Sequence, residues 1–168
     1  SFQFAVESAF IHRKAKLAKQ SVAYFLGLSE IKSLYTSYSV PIMKESLLED
    51  YLKDLKRFKY IKIKVNQDNA VEFVKTIASK TDALLRIDGN EAWSDLDHYK
   101  KFEESVSYCN IQFIEQPFAS THIDDYIALK KNSKFEIMAD ESVEQSCDFD
   151  ELEKQFHSIN VKLMKAGG

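Results

Sequence analysis

YIKIKVNQDNAVEFVKTIASKTDALLRIDGN, residues 60–90, changes its periodicity twice. Tyr60–Val65 is β-rich and alternating: Ile61, Ile63 and Val65 point to one face, Lys62 and Lys64 to the other. Residues 68–79 are amphipathic at helical spacing, and Ala83–Ile87 is β-rich again. A strand, a helix and a strand in that order predict parallel neighbours, because a parallel neighbour is reached only through a crossover connection.

The same rhythm runs outward from this unit. Before it lie a strand at Tyr35–Val40 and a helix near 44–58. After it come helix 95–107, strand Ile111–Ile114, helix 122–131, strand Phe135–Ala139, helix 148–157 and strand Ile159–Leu163. Residues 4–26 place Val6, Ala9, Phe10, Leu17, Val22, Phe25 and Leu26 near helical spacing, with Gly27 as a stop signal, so the chain opens with one or two helices. The fold class is α/β. Six strands in series suit an open doubly wound sheet or an incomplete barrel, and periodicity does not choose between them.

Composition narrows the function classes. The 168 residues are 45% hydrophobic, enough to bury one domain-sized core, and four glycines and two prolines leave no room for flexible linkers. A net charge of −3 gives no electrostatic basis for nucleic-acid binding, and the basic stretch His12–Lys19 reads as a solvated helix face. Cys109 and Cys147 have neither a disulfide framework nor a zinc spacing, which fits a reducing, cytoplasmic setting. No apolar run approaches the roughly 20 residues of a membrane span. The chain opens at Ser1 without a methionine, so targeting is left open.

The informative charges fall at strand ends. Lys64, Asp88, Glu115, Asp140 and Lys162 each lie at or near the C-terminal end of an expected strand, separated by 24, 27, 25 and 22 residues. Taken singly, each has an ordinary reading: Asp88-Gly89-Asn90 as a turn, Asp140-Glu141-Ser142 as a helix cap. Independent turn and cap residues have no reason to keep one register, whereas a (β/α)8 barrel brings consecutive strand ends to one mouth. Three carboxylates meeting there would repel unless a cation sat among them, and an all-oxygen set suits a hard divalent ion such as Mg²⁺. Lysines close to such an ion lose part of their preference for the charged state, which suits Lys64 and Lys162 as bases.

The strings Ile61-Lys62-Ile63-Lys64-Val65, Arg86-Ile87-Asp88-Gly89-Asn90, Ile114-Glu115-Gln116-Pro117, Ala139-Asp140-Glu141-Ser142 and Val161-Lys162-Leu163-Met164-Lys165-Ala166-Gly167-Gly168 resemble the muconate-lactonizing subgroup of the enolase superfamily. Within it they look most like dipeptide epimerases, the L-Ala-D/L-Glu group. The resemblance implies a (β/α)8 barrel, with strands one to six in residues 34–168 and a helical segment of the N-terminal capping domain in residues 1–33. It makes Asp88, Glu115 and Asp140 the Mg²⁺ ligands, with Asn90 and Glu141 behind them. Lys64 and Lys162 become the acid/base pair, and Lys62 supports Lys64. Lys165, three after Lys162, is expected on the opposite side of the strand and is left out of the site. Gly89 departs from the alanine common in the family, and Asn66 stands where glycine is frequent.

What the resemblance implies chemically is removal of the α-proton of a metal-bound carboxylate substrate by one lysine, and its return by the other to the opposite face of an enediolate. The expected substrate is an L,L-dipeptide, with homo-oligomerisation open. Cycloisomerase, o-succinylbenzoate synthase and N-acylamino acid racemase keep the same site with another outcome. A non-catalytic metal-binding barrel fragment is the reading from another class, against which stands the retention of both lysines. The family also carries strands seven and eight, more of the capping domain, and an Asp-x-Asp motif that grips a dipeptide ammonium, so a longer parent chain is expected.

Overall fold

Six parallel strands follow one another across a single sheet in chain order: β1 (Ser37–Val40), β2 (Tyr60–Lys64), β3 (Leu84–Asp88), β4 (Ile111–Glu115), β5 (Glu136–Ala139) and β6 (Ser158–Ile159). The computed structural model of the chain describes residues 2–29, 33–53 and 55–165. A doubly wound sheet reverses its strand order at a switch point. Here the order never reverses, which settles the choice that periodicity left open in favour of singly wound, barrel-type topology.

The helices are α1 (Phe2–Leu17), α2 (Val22–Phe25), α3 (Glu45–Leu52), α4 (Ala70–Ala78), α5 (Leu96–Ser105), α6 (Ile123–Asn132) and α7 (Phe149–Gln155), with a 3-10 turn at Leu55–Arg57. The chain divides into two compact units. One comprises Ser1–Leu34, Val143–Ser146 and Val161–Gly168 and contains α1 and α2. The other, Tyr35–Ser142 with Cys147–Asn160, contains the sheet and α3 to α7.

The sheet's two faces differ as the alternation requires. Val40, Ile61, Ile63, Leu85, Ile87, Ile114, Ile137 and Ala139 are buried on the helix-covered face. The helices supply the matching stripe: Ala70, Phe73, Val74 and Ile77 of α4 lie at the i, i+3, i+4, i+7 spacing of one helix face and are all buried. Each of the valine, leucine, isoleucine and phenylalanine side chains among them contributes about 1.5–3 kcal/mol on leaving water. The opposite face is polar. Ser37, Lys62, Arg86, Gln112, Glu115, Glu136, Ser158 and Asn160 line a cavity of about 450 Å³ with Phe113, Met138 and Ile159. Arg86 is held there by Gln112 and Ser37, each at 2.8 Å, and lies against the rings of Tyr60 and Phe113.

One strand differs from expectation. Ile159–Leu163 was expected as the sixth strand, but β6 is Ser158–Ile159, and a turn follows in which the Lys165 N–H donates to the Lys162 carbonyl at 2.8 Å. The cause is the neighbour: β5 ends at Ala139, whose carbonyl takes the Asn160 N–H at 2.7 Å, and β5 offers no further rungs. Lys162 and Lys165 therefore lie in one turn, and strand alternation does not place Lys165. The end of the last motif string, residues 166–168, lies outside the described residues.

Candidate active site

Register brings the first charges together. Lys62 is paired with Arg86, Lys64 with Asp88, and Asp88 with Glu115, so all lie on the polar face within two rungs of the C-terminal strand ends. Asp88 and Glu115 are nearly inaccessible, at 4% and 1% exposure. The Lys62 ammonium is 3.1 Å from Asp88 Oδ2 and 2.7 Å from Glu115 Oε2. Lys64 Nζ is 3.5 Å from the same Asp88 oxygen and is half exposed. Glu115 Oε1 also accepts from Asn160 Nδ2 at 3.0 Å.

This geometry sets the state of Lys62. Burial by itself would push its ammonium down, but the hydrogen bond and charge of Glu115, together with Asp88, outweigh burial and move it upward from the ordinary lysine value. Lys62 is thus held in its charged form by the two carboxylates it touches.

Asp140 is buried just beyond β5, the strand next to Glu115. Its backbone N–H donates at 2.9 Å to the side-chain Oε1 of Gln116. Gln116 is completely buried and has a left-handed φ of 39°. Its Oε1 also accepts from Ser142 N at 3.2 Å. Its Nε2 reaches Ser142 Oγ at 2.7 Å, Tyr126 Oη at 2.9 Å and the Phe118 carbonyl at 3.2 Å. The Tyr126 hydroxyl is fixed in turn by accepting from Phe118 N and donating to Phe118 O.

The loop after β3 closes over the same corner. Gly89 N donates to Glu115 O, Glu91 N to Gln116 O and Trp93 N to Pro117 O, at 2.8, 2.8 and 3.0 Å. A Cβ on Gly89 would sit 3.0 Å from Gln116 O, from Pro117 Cα and from the Trp93 ring, so the tight approach of the two loops explains glycine here. Asn90, exposed with φ 46°, and Glu91, with φ 61°, form the left-handed part of that loop. Asn66 earns its place structurally: its side chain accepts from Asn69 N at 3.1 Å at the entry to α4.

Of the sequence-derived set, Lys62 touches Asp88 and Glu115, Lys64 touches Asp88, and Asp140 and Glu141 follow the adjacent strand. Lys162 belongs to the other unit and is half-buried. Among the described residues, no group of three His, Cys, Asp or Glu side chains is gathered closely enough to hold a metal ion. The donor chemistry nevertheless fits a hard cation. Two buried carboxylates converge on one positive charge, here the Lys62 ammonium, and a third buried carboxylate stands at the next strand end. Gln116, Tyr126 and Asn160 had no assigned role in the sequence reading, because each acts through a partner 10 to 45 residues away.

Residues 45–168 match the family model described as "Enolase C-terminal domain-like". The chain is 30% identical over 143 residues to the L-Ala-D/L-Glu epimerase of Bacteroides thetaiotaomicron, covering 84% of this chain and 37% of that protein. It spans about half or less of the length of the curated relatives it matches. Among solved structures, a muconate lactonizing enzyme from Pseudomonas putida superposes with a TM-score of 0.82 over 97% of this chain and 48% of its own, at 24% identity, a likeness of fold. The dipeptide epimerase from Cytophaga hutchinsonii, complexed with Mg and the dipeptide D-Ala-L-Val, superposes with a TM-score of 0.74 at 26% identity, over 88% of this chain and 42% of that one. With its consecutive parallel strands, its charged strand ends and a match over residues 45–168, the chain belongs to the enolase C-terminal domain-like family.

Proposed function

We propose that this chain carries the Mg²⁺- and lysine-bearing part of an epimerase that inverts one stereocentre of an L,L-dipeptide. The observation that supports this most is the cluster at the ends of β2, β3 and β4. Two lysines and two buried carboxylates share one face, with Lys62 bridging Asp88 and Glu115. Metal binding alone needs neither lysine.

In this reading Asp88, Glu115 and Asp140 would hold Mg²⁺, and when bound it would supply positive charge that stabilises an enediolate oxygen. Lys62, in contact with both Asp88 and Glu115, would stand beside the ion as a further positive charge. Lys64, half exposed at the end of β2, has the access to solvent and substrate that a proton carrier needs. Lys162, from its motif, is the complementary base that returns a proton from the other face. The relatives' names support a dipeptide substrate through the Bacteroides and Cytophaga epimerases.

The test is proton NMR in D₂O of a panel of L,L-dipeptides with Mg²⁺ and the full-length gene product. The expected result is α-deuteration with inversion at one residue, lost in Lys162→Ala and in Lys64→Ala. No exchange on any dipeptide would sink the epimerase reading in favour of a cycloisomerase, synthase or acylamino acid racemase reaction at the same residues.

A further inference from the structure

The hydrogen-bond ladder between β4 and β5 ends where the site begins. Its last backbone rung is the Gln116 N–H on the Met138 carbonyl at 2.9 Å. Asp140, two residues past Met138, stands where the next rung would form, but its N–H donates to a side chain and the Gln116 carbonyl takes the Glu91 N–H. The Gln116 side chain continues the ladder by other means: its amide oxygen takes the Asp140 N–H and the Ser142 N–H, as a peptide carbonyl would. Gln116 directly follows Glu115 in the chain, and its own carbonyl takes the Glu91 N–H from the loop after Asp88. One residue therefore joins the segments that carry all three carboxylates.

Three further observations indicate that this arrangement is held under constraint. Gln116 has a left-handed φ of 39°, uncommon for a non-glycine residue and sustained only where surroundings over-determine it. Its two amide hydrogens face three acceptors within 3.2 Å, so the amide cannot turn over without losing its partners. The Tyr126 hydroxyl, which fixes that orientation, sits on α6 and is buried, so the anchor is the helix layer and not a mobile loop.

We propose that Gln116 is the positioning residue of the metal site: its side-chain amide sets the Asp140 backbone relative to Glu115 and thereby the spacing of the ligands. The proposal rests on the assignment of Asp88, Glu115 and Asp140 as ligands, and it goes beyond that assignment by naming what places the third one. Gln116 touches neither substrate nor metal in this role. Residues that orient ligands typically change metal affinity by about 10- to 100-fold when removed.

The experiment measures Mn²⁺ affinity by electron paramagnetic resonance on the full-length gene product, with melting temperature recorded in parallel. Gln116→Leu, which removes every side-chain bond, is expected to weaken Mn²⁺ binding by at least tenfold and to broaden the signal of the bound ion. Ser142→Ala, which removes one partner of the amide at a half-buried position, is expected to weaken it several-fold while folding normally, and it decides the matter should Gln116→Leu fail to fold. Leu129→Ala, a cut into buried α6 packing, is the stability control and is expected to lower the melting temperature without changing affinity. Wild-type-like affinity in folded Gln116→Leu, or in Ser142→Ala where that variant alone is available, overturns the proposal. Unchanged Mn²⁺ binding in Asp88→Asn, or none in the wild type, overturns the ligand assignment and this proposal with it.

Discussion

At Lys62, one ammonium balances two carboxylates that water barely reaches. Replacing it by methionine keeps most of the length and removes the charge, leaving Asp88 and Glu115 facing each other across the vacated place. Breaking a buried pair from one side is strongly destabilising, and with about a fifth of the lysine still exposed the expected loss is about 3 kcal/mol in urea unfolding without divalent ions. The pH dependence has a defined sign. Lys62 holds its proton more tightly folded than unfolded, so its contribution is complete below the unfolded lysine value near 10.5 and is lost as pH rises through the higher folded value. The difference between wild type and Lys62→Met should accordingly shrink as pH is raised above that value; a constant difference would mean that packing, not charge, is what the lysine supplies. Lys62 and Lys64 were legible as same-face neighbours because strand alternation needs no tertiary information. Their division of labour was not, since it depends on which carboxylate each reaches, and that is a matter of register between strands.

Among the elements, the interior strands and most helices were readable nearly to their ends; β6 was not, and the helix expected near 44–58 is α3, Glu45–Leu52, followed by the separate 3-10 turn Leu55–Arg57. A central strand's limits follow from its own apolar alternation, whereas a strand with one ladder stops where its partner stops, and Ala139 is that limit for β6. The segments after β3 and β4 show the same dependence. Gly89 looks like an ordinary turn glycine in the sequence, yet it marks a contact with the Gln116 and Pro117 backbone that a methyl group would press to 3.0 Å. Because two of the three atoms in the way are backbone, Gly89→Ala is expected to lower stability by about 1–2 kcal/mol, measured by urea unfolding. No loss would show that the two segments can part by a few tenths of an ångström and that the family's commoner alanine is freely exchangeable here.

On the scale of the whole chain, the proposed metal site makes stability depend on divalent ions. A ligand that binds the folded state alone adds about 2.7 kcal/mol at a hundredfold excess over its dissociation constant. Mg²⁺ titration should therefore raise the melting temperature of the full-length product, with the rise absent in Asp88→Asn; equal rises in both would place the ion elsewhere. The winding of the sheet was legible only through its charges, because six βα repeats are common to both sheet types and the strand order that separates them is a property of the assembled sheet. That order carries a last consequence. Every strand of this sheet pairs with the one next in the chain, about 25 residues on, so no pairing has to wait for a distant segment to be synthesised. Pairing with the next strand in the chain allows the sheet to grow one strand at a time as the polypeptide leaves the ribosome. Asp140 and Ser142 come out a full unit after Gln116, so the amide link would be the step that locks the β4 and β5 corner once both strands are already in place.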